Sequence, residues 1–289
     1  MESTGETAAA SPGVPSITSR GHDATRTRAF RHVLLTDDGV RIEAGHRPRD
    51  RRPAPDDTDA TDTGDLAIVI AHGFTGSLDR PAVRRAAAAF AHVAGVVTFS
   101  FRGHGGSGGR STVGDREVLD LDAAVGWARS LGYRRVVTVG FSMGGSVVLR
   151  QAAVGGRTEA RPDAVVAVSA PARWYYRGTA PMRRLHWAVT RPAGRLVSRY
   201  GLRTRIHPED WDPVPLSPVA AVPLIAPTPL LIVHGDRDRY FPLDHPYSLK
   251  DAAGDAAELW IEPGFGHAEN AAHPGLLARV GRWAAERTG

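Results

Sequence analysis

The stretch that most constrains the fold of this chain is residues 134–153, RRVVTVGFSMGGSVVLRQAA. It opens with β-branched residues at 136–139, which are typical of a strand buried on both faces. The segment G-F-S-M-G follows at 140–144, and then an apolar run of small residues that suits a buried helix. Glycines two residues either side of Ser142 permit a strand-to-helix turn so tight that the serine backbone is strained. The pattern therefore predicts a serine hydroxyl that stands clear of a sheet, at the N-terminus of a helix.

The same G-x-S-x-G spacing occurs a second time, at 105–109 around Ser107. This copy lies in the glycine-rich run FRGHGGSGGRST, and no helical pattern follows it directly. Such a run is typical of a loop. The context of the two motifs therefore favours Ser142 as the candidate nucleophile.

Strand patterns alternate with helical patterns along most of the chain. A β-hairpin is predicted around Asp37-Asp38-Gly39, where Asp-Gly supplies the turn. The alternation after it implies right-handed crossovers, so we expect an α/β fold with a mostly parallel, doubly covered sheet. The later strands are predicted at 66–71, 95–101, 136–139, 164–169, 229–234 and 257–261, and the helices at 81–93, 113–131, 246–253 and 274–287, besides the one that follows Ser142.

Three stretches of the chain do not show the alternation of strand and helix patterns. Residues 1–28 are rich in Ser, Thr, Gly, Ala and Pro, which predicts a disordered tail, and the charged, Pro-rich residues 48–64 predict a surface excursion. Residues 171–227 interrupt the strand–helix rhythm and are expected to form an inserted cap. The remaining residues, 29–170 and 228–289, are expected to form the α/β core.

Composition excludes several classes of function. The chain has no cysteine, which excludes disulfides and thiolate chemistry, and no apolar run long enough to span a membrane, so we expect no stable membrane insertion. Its N-terminus lacks a secretory pattern, so a cytoplasmic location is expected. The net charge of +5 comes almost entirely from arginine, without the basic, aromatic-interleaved face that nucleic-acid binding needs. No metal-binding motif of the H-x-x-x-H or H-E-x-x-H type occurs, so no metal site is predicted.

Five short motifs, taken in order, make the chain resemble the α/β-hydrolase family. They are His72-Gly73-Phe74, RGHGGS at 102–107, GFSMGG at 140–145, HGDRD at 234–238 with Pro242, and Gly266-His267. Together they extend from about residue 66 to the C-terminus in the family's order of serine, acid and histidine. The resemblance implies the α/β-hydrolase fold with a cap or lid over the active site, placed here at 171–227.

The resemblance also implies a catalytic triad. Ser142 corresponds to the nucleophile and His267 to the base that accepts its proton and later protonates the leaving group. Two aspartates, Asp236 and Asp238, compete for the role of the acid that orients the histidine. The family's acid usually lies three residues after the strand-end glycine, which favours Asp238. His72, His104 and His234 are interpreted as structural.

The resemblance places an oxyanion hole at the backbone N–H groups of Phe74 and Met143. Aromatic and apolar residues of the insertion are candidates for substrate binding, although they can equally anchor the insertion to the core. The insertion also carries nine arginines against Glu209, Asp210 and Asp212, a composition that suits a solvated surface, an anionic end of a substrate or contact with anionic lipid. The candidates for substrate binding are Trp174, Tyr175, Met182 and Trp187.

These features together predict a serine hydrolase that cleaves a carboxylic ester of a small molecule or acyl group through an acyl-serine intermediate, with no cofactor. The fold also serves thioesterases, C–C bond hydrolases and acyltransferases, and it can persist in a non-catalytic ligand-binding protein. These four remain as alternatives at this point. The serine at position 142 argues against the branches of the family that use an aspartate nucleophile.

Overall fold

A computed structural model describes residues 30–50, 65–155 and 160–289 of the chain. The strands are β1 (Phe30–Leu35), β2 (Arg41–Arg47), β3 (Leu66–Ala71), β4 (Gly95–Phe99), β5 (Arg135–Phe141), β6 (Ala164–Val168), β7 (Leu230–Gly235) and β8 (Ala257–Glu262). They form one sheet in the order β1-β2-β4-β3-β5-β6-β7-β8. β2 is antiparallel to both β1 and β4, and the other neighbouring strands are parallel. The predicted α/β class with a mostly parallel sheet is therefore confirmed.

Helices connect the parallel strands. They are α1 (Pro81–Phe90), α2 (Glu117–Ser130), α3 (Met143–Val154), α4 (Ala180–Thr190), α5 (Pro192–Tyr200), α6 (Pro218–Ala221), α7 (Asp244–Ala253), α8 (Ala268–Ala271) and α9 (Pro274–Arg287). Two short 3-10 helices, Val222–Leu224 and Gly254–Ala256, follow α6 and α7.

The core lies in two layers, one on each face of the sheet. Ala67 and Val69 of β3 pack in a cluster with α2, α3 and α7, whereas Ile68 and Ile70 pack in a second cluster with α1 and α9. Because both faces are covered, every residue of β3 is buried. This explains why β3 has a continuous apolar sequence and not an alternating one.

The predicted hairpin is confirmed at β1 and β2. The Thr36 N–H donates to the Val40 carbonyl at 2.9 Å, and the Gly39 N–H donates to the Thr36 carbonyl at 2.9 Å. Gly39 has a φ of 78°, a left-handed conformation that glycine adopts without steric cost.

Helix α2 begins later than the sequence predicts, at Glu117 and not at residue 113. The carboxylate of Glu117 is completely buried and accepts hydrogen bonds from the residues that precede the helix. Its hydrogen-bond donors are the Ser111 hydroxyl, the Thr112 N–H and hydroxyl, and the Gly114 N–H. These bonds hold residues 111–114 in a loop, so the predicted first turn at 113–116 does not become helical.

Residues 171–227, between β6 and β7, contain two kinds of structure. Helices α4 and α5 pack against each other and lie beside the carboxyl ends of the strands, where α/β sheets bind ligands. Helix α6 and the following 3-10 helix pack instead against α3 and α7, and Val222 and Ile225 join the core cluster of those helices.

Two of the sequence predictions concern parts of the chain that the structure does not describe. The predicted tail at 1–28 lies outside the described residues, and so does all but the beginning of the charged excursion at 48–64.

Candidate active site

Ser142 lies at the turn between β5 and α3, with φ of 51° and ψ of −113°. A non-glycine residue in such a conformation stores strain of the order of 1–3 kcal/mol. A Cβ on Gly140 would lie 2.2 Å from the Gly144 oxygen, and a Cβ on Gly144 would lie 2.1 Å from the Ala71 oxygen. Both positions therefore require glycine, because α3 approaches β3 and β5 closely at the point where the serine is presented.

His267 immediately precedes α8 and joins Ser142 to Asp238. Its Nε2 lies 2.9 Å from the Ser142 Oγ, and its Nδ1 lies 2.8 Å from the Asp238 Oδ2. Tyr240 stacks on the imidazole with ring centroids 4.2 Å apart, and Phe241 meets it at 5.6 Å. These contacts hold the ring in a position where Nδ1–H can donate to the carboxylate and Nε2 can accept a hydrogen bond from the Ser142 hydroxyl.

The carboxylate of Asp238 is fully buried but well supplied with hydrogen bonds. Its Oδ1 accepts the backbone N–H groups of Tyr240 at 2.8 Å and Phe241 at 3.1 Å. Burial opposes its ionisation, but the hydrogen bond from His267 and the nearby imidazoles of His267 and His234 outweigh this and lower the pKa of Asp238. Asp238 is thus a carboxylate at neutral pH.

Asp236, the competing candidate, has a different environment. It is exposed, and its Oδ1 accepts the Gly264 N–H at 2.7 Å, which stabilises the loop after β8. The structure therefore brings Asp238 to the histidine and leaves Asp236 as a turn residue.

The backbone N–H groups of Phe74 and Met143 lie beside Ser142. Met143 is the first residue of α3, so its N–H has no acceptor within the helix. Phe74 follows Gly73 in the loop after β3, and a Cβ on Gly73 would lie only 3.4 Å from the Ser142 Cβ. Both Phe74 and Met143 border the same cavity as Ser142. This arrangement suits two donors directed at a developing oxyanion.

Ser142 opens into a cavity of about 600 Å³. The cavity wall combines the loop at 111–113, the segment 173–177, α4, the start of α5 and the segment 206–211. Three of the four predicted substrate-binding residues, Trp174, Tyr175 and Met182, line it, whereas Trp187 does not and is half exposed. Further lining residues that the sequence did not single out are Tyr176, Leu185, Val189, Ile206, Trp211 and Phe241.

Two indoles hold the cavity wall in place. Trp174 donates its Nε1–H to the Pro215 carbonyl at 2.9 Å, and Trp211 donates its Nε1–H to the Thr112 carbonyl at 2.6 Å. The two rings meet edge to face with centroids 5.0 Å apart. These aromatic residues therefore both line the cavity and anchor the segment that carries them.

Glu269 is a residue near the site that sequence reasoning missed. Its carboxylate is buried, and its Oε1 accepts the Gly73 N–H at 3.0 Å. Arg85 fixes the same loop from outside, because its Nη2 donates to the Glu269 carbonyl at 2.7 Å. Burial raises the pKa of Glu269, although the Gly73 N–H, His267 and Arg85 act in the opposite direction. A glutamate two residues after a loop histidine is usually solvated, so only the tertiary contact identifies it.

The other candidates from the sequence have structural roles. His72 is buried, its Nδ1–H donates to the Gly73 carbonyl at 2.7 Å, and its Nε2 accepts the Phe101 N–H at 3.0 Å. Burial lowers the pKa of His72 to about 3, so it is neutral. Ser107 is also buried, and its hydroxyl donates to the Ser100 carbonyl at 2.6 Å, away from the cavity of Ser142.

The described ranges contain neither a helix that suits a membrane span nor a cluster of metal-binding side chains. None of their helices is long and apolar enough to cross a membrane. No grouping of three or more His, Asp or Glu side chains in these ranges could hold a metal ion.

The sheet order, the serine turn and the loops at the strand ends define the α/β-hydrolase fold, which this chain has. Comparison with known proteins agrees. The family model of the alpha/beta hydrolase fold matches residues 67–182. No curated protein matches the sequence.

Several solved structures resemble the chain over most of its length. The esterase Pf2001 of Pyrococcus furiosus is 22% identical, with a TM-score of 0.67 over 91% of this chain and 94% of the esterase. The hypothetical protein PA2218 of Pseudomonas aeruginosa is 17% identical, with a TM-score of 0.64 over 92% and 96%. XC6422 of Xanthomonas campestris, an α/β serine hydrolase without a lid, is 18% identical, with a TM-score of 0.57 over 92% and 96%. At these identities the shared property is the fold.

Proposed function

We propose that this protein is a serine hydrolase that cleaves carboxylic esters through an acyl-serine intermediate. The observation that carries the proposal is the chain of hydrogen bonds from Ser142 through His267 to Asp238, with lengths of 2.9 and 2.8 Å. A serine with a base beside it and a buried acid behind that base is the arrangement that activates a hydroxyl for acyl transfer.

In the first half of the proposed reaction, the Ser142 Oγ attacks the ester carbonyl carbon and its proton passes to the His267 Nε2. The carbonyl oxygen becomes an oxyanion that accepts the N–H groups of Phe74 and Met143. Asp238 holds the Nδ1–H and stabilises the positively charged imidazolium. When the tetrahedral intermediate collapses, the bond to the leaving oxygen breaks, and the Nε2 proton goes to that oxygen to release the alcohol.

In the second half, water replaces the alcohol. His267 accepts one proton of the water as its oxygen attacks the acyl carbon, and the same two N–H groups accept the second oxyanion. Collapse breaks the bond between the acyl carbon and the Ser142 Oγ, which takes back the proton from Nε2. The products are the carboxylic acid and the free enzyme, so each step balances without a cofactor.

The cavity supports an ester with an apolar acyl or alcohol part as the substrate. Its wall combines the apolar groups of Trp174, Tyr175, Met182 and Trp211 with charged side chains that can bind polar parts of a substrate, among them Arg173, Arg177, Arg195, Glu209 and Asp210. In this proposal residues 171–227 form the cap over the core of residues 29–170 and 228–289, with α4 and α5 on the cavity side and with α6 and the following 3-10 helix packed on the core. Esterase function in the similar Pyrococcus furiosus protein agrees with this choice of reaction.

The test is hydrolysis of a series of p-nitrophenyl esters by the wild-type chain and by two matched variants. We expect Asp238→Asn to lower kcat by about 10⁴-fold, because the orienting carboxylate is lost. Asp236→Asn removes the same charge two residues away and should change kcat by less than about threefold, since Asp236 contacts only the loop. Ser142→Ala should show no turnover above background from the acyl-serine route.

The proposal is wrong if Ser142→Ala hydrolyses these esters at the wild-type rate. The assignment of the acid is wrong if Asp236→Asn loses as much activity as Asp238→Asn. Circular dichroism of each variant establishes that the comparison is between folded proteins.

A further inference from the structure

Helix α5 presents an apolar stripe to the outside of the molecule. Ala193, Leu196, Val197 and Tyr200 recur at the i, i+3, i+4 and i+7 spacing of one helix face, and all four are exposed. Leu196 is 58% exposed, Val197 53% and Tyr200 73%. A surface helix of a globular protein normally directs such a stripe towards the core.

The inner sides of α4 and α5 are already occupied. Gly194 and Ser198 are the buried residues of α5, and a Cβ on Gly194 would lie 2.4 Å from the Trp187 oxygen of α4. Met182, Leu185 and Val189 of α4 line the cavity. The pair is therefore held to the molecule by other faces, and more than half of the surface of Leu196, Val197 and Tyr200 on the outer stripe of α5 remains exposed among the described residues.

Arginine predominates in the sequence around the stripe, although Glu209, Asp210 and Asp212 follow it directly and Arg203 lines a pocket together with Glu43 and Asp79. Residues 171–208 contain nine arginines and no aspartate or glutamate. Arg191, Arg199 and Arg203 lie next to the stripe in sequence, are exposed, and form no ion pair with a described residue. The guanidinium of Arg199 lies 5.4 Å from the centroid of the Tyr200 ring, so cationic and apolar groups are mixed on one surface.

We propose that this outer face of α5, with Ala193, Leu196, Val197 and Tyr200 as its apolar part and the neighbouring exposed Arg199 and Arg203 as its basic part, docks on an anionic lipid surface. An interfacial helix places apolar side chains among the acyl chains and its arginines among anionic headgroups. The excess of exposed arginine beside the apolar stripe favours a negatively charged surface as the occupant.

Docking brings the cavity to the lipid. Pro192 and Arg195 of α5 line the cavity wall, and the exposed stripe belongs to the same two turns of helix. The helix that docks therefore also borders the cavity. Docking itself requires no turnover and is independent of the proposed hydrolase activity.

The test uses sedimentation of the Ser142→Ala protein with vesicles of phosphatidylcholine alone or of phosphatidylcholine with phosphatidylglycerol. We expect binding to the phosphatidylglycerol vesicles, little binding to phosphatidylcholine, and weaker binding as salt rises. Arg199→Gln/Arg203→Gln should weaken binding by about tenfold or more, and Leu196→Ser/Tyr200→Ser should weaken it at every salt concentration.

The matched control is Arg116→Gln/Arg282→Gln, which removes the same charge at two exposed positions. Arg116 immediately precedes α2, and Arg282 lies on α9. This variant should bind as the parent protein does. The proposal is overturned if phosphatidylglycerol vesicles are not bound, if both vesicles are bound equally, or if the control loses as much affinity as the α5 variant. It is also overturned if light scattering shows a dimer that Leu196→Ser/Tyr200→Ser dissociates, because a second copy then covers the face.

Discussion

The buried glutamate beside the triad gives the sharpest prediction. Glu269 accepts the N–H of Gly73, and Gly73 immediately precedes Phe74, whose own N–H is a proposed oxyanion donor. Glu269→Ala leaves the Gly73 N–H buried without its acceptor, which costs about 1–3 kcal/mol and frees the loop to move. Glu269→Gln keeps an oxygen acceptor at the same place and removes only the charge.

The expected effect on catalysis follows from the value of an oxyanion donor. Complete loss of one such donor lowers kcat by about 10²- to 10³-fold. A displaced loop still provides part of the hydrogen bond from the Phe74 N–H, so we expect kcat of Glu269→Ala to fall by only about ten- to a hundredfold. KM should change by less than about threefold, because the loop acts on the transition state. Glu269→Gln should keep kcat within about threefold of the wild type.

The assay is steady-state hydrolysis of one soluble ester, with inhibition by a boronic acid that forms a tetrahedral adduct on the serine. The affinity for the boronic acid should fall in parallel with kcat. Glu262→Ala is the control, since Glu262 pairs with Arg279 away from this loop. The reasoning is refuted if Glu269→Ala keeps wild-type kcat, or if KM rises while kcat is unchanged.

The same residue predicts a pH dependence of stability. Burial raises the pKa of Glu269 in the folded chain above its ordinary value of 4.5. The folded state then binds the proton more tightly than the unfolded state, so this group's contribution to the free energy of unfolding falls as pH rises from about 4.5 through the raised pKa. Because Gln does not titrate, the stability of Glu269→Gln relative to wild type should increase over that window in urea unfolding. A constant difference between pH 4 and 8 would contradict it.

Three further predictions concern the turn, the cavity and the loop before α2. Gly144→Ala should lose about 3 kcal/mol or more in urea unfolding, because its Cβ would meet the Ala71 oxygen at 2.1 Å; an unchanged midpoint would contradict the geometry of the turn. Trp174→Ala should raise kcat/KM for long-chain relative to short-chain p-nitrophenyl esters, since the indole occupies the cavity wall, and an unaltered preference would place the acyl group elsewhere. Glu117→Ala should lower the thermal midpoint by several degrees, because donors from Ser111 to Gly114 lose their buried acceptor, whereas a midpoint equal to wild type would argue against that role.

The sequence predicted the parts of the molecule that local pattern determines. Strand β3 and helix α9 begin and end where their apolar patterns do. The serine turn could be predicted from its G-x-S-x-G pattern, and the structure gives the steric reason for both glycines: Gly140 lies against Gly144, and Gly144 lies against Ala71 of β3. The order of Ser142, Asp238 and His267 along the chain was read from resemblance, and the structure brings these three side chains together.

The features that the sequence did not show depend on contacts between distant segments. Glu269 and Gly73 are 196 residues apart, and no local pattern marks their hydrogen bond. The hydrogen bonds from residues 111–114 to the Glu117 carboxylate prevent α2 from beginning at residue 113, where the sequence predicted it. Trp187 was predicted to bind substrate because it is an aromatic residue of the insertion, but its position on α4 leaves it half exposed and outside the cavity wall. Which face of a helix is buried depends on what packs against it.

The central claim is that Ser142 is an activated nucleophile, and labelling with a fluorophosphonate probe followed by peptide mapping tests it most directly. If His267 activates Ser142, we expect one adduct, on Ser142, in the wild type and in Ser107→Ala, and none in Ser142→Ala. Ser107 serves as the matched control because it has the same G-x-S-x-G spacing but a buried hydroxyl bonded to the Ser100 carbonyl. An adduct that persists in the folded Ser142→Ala protein, or a folded wild type that remains unlabelled, would contradict the account.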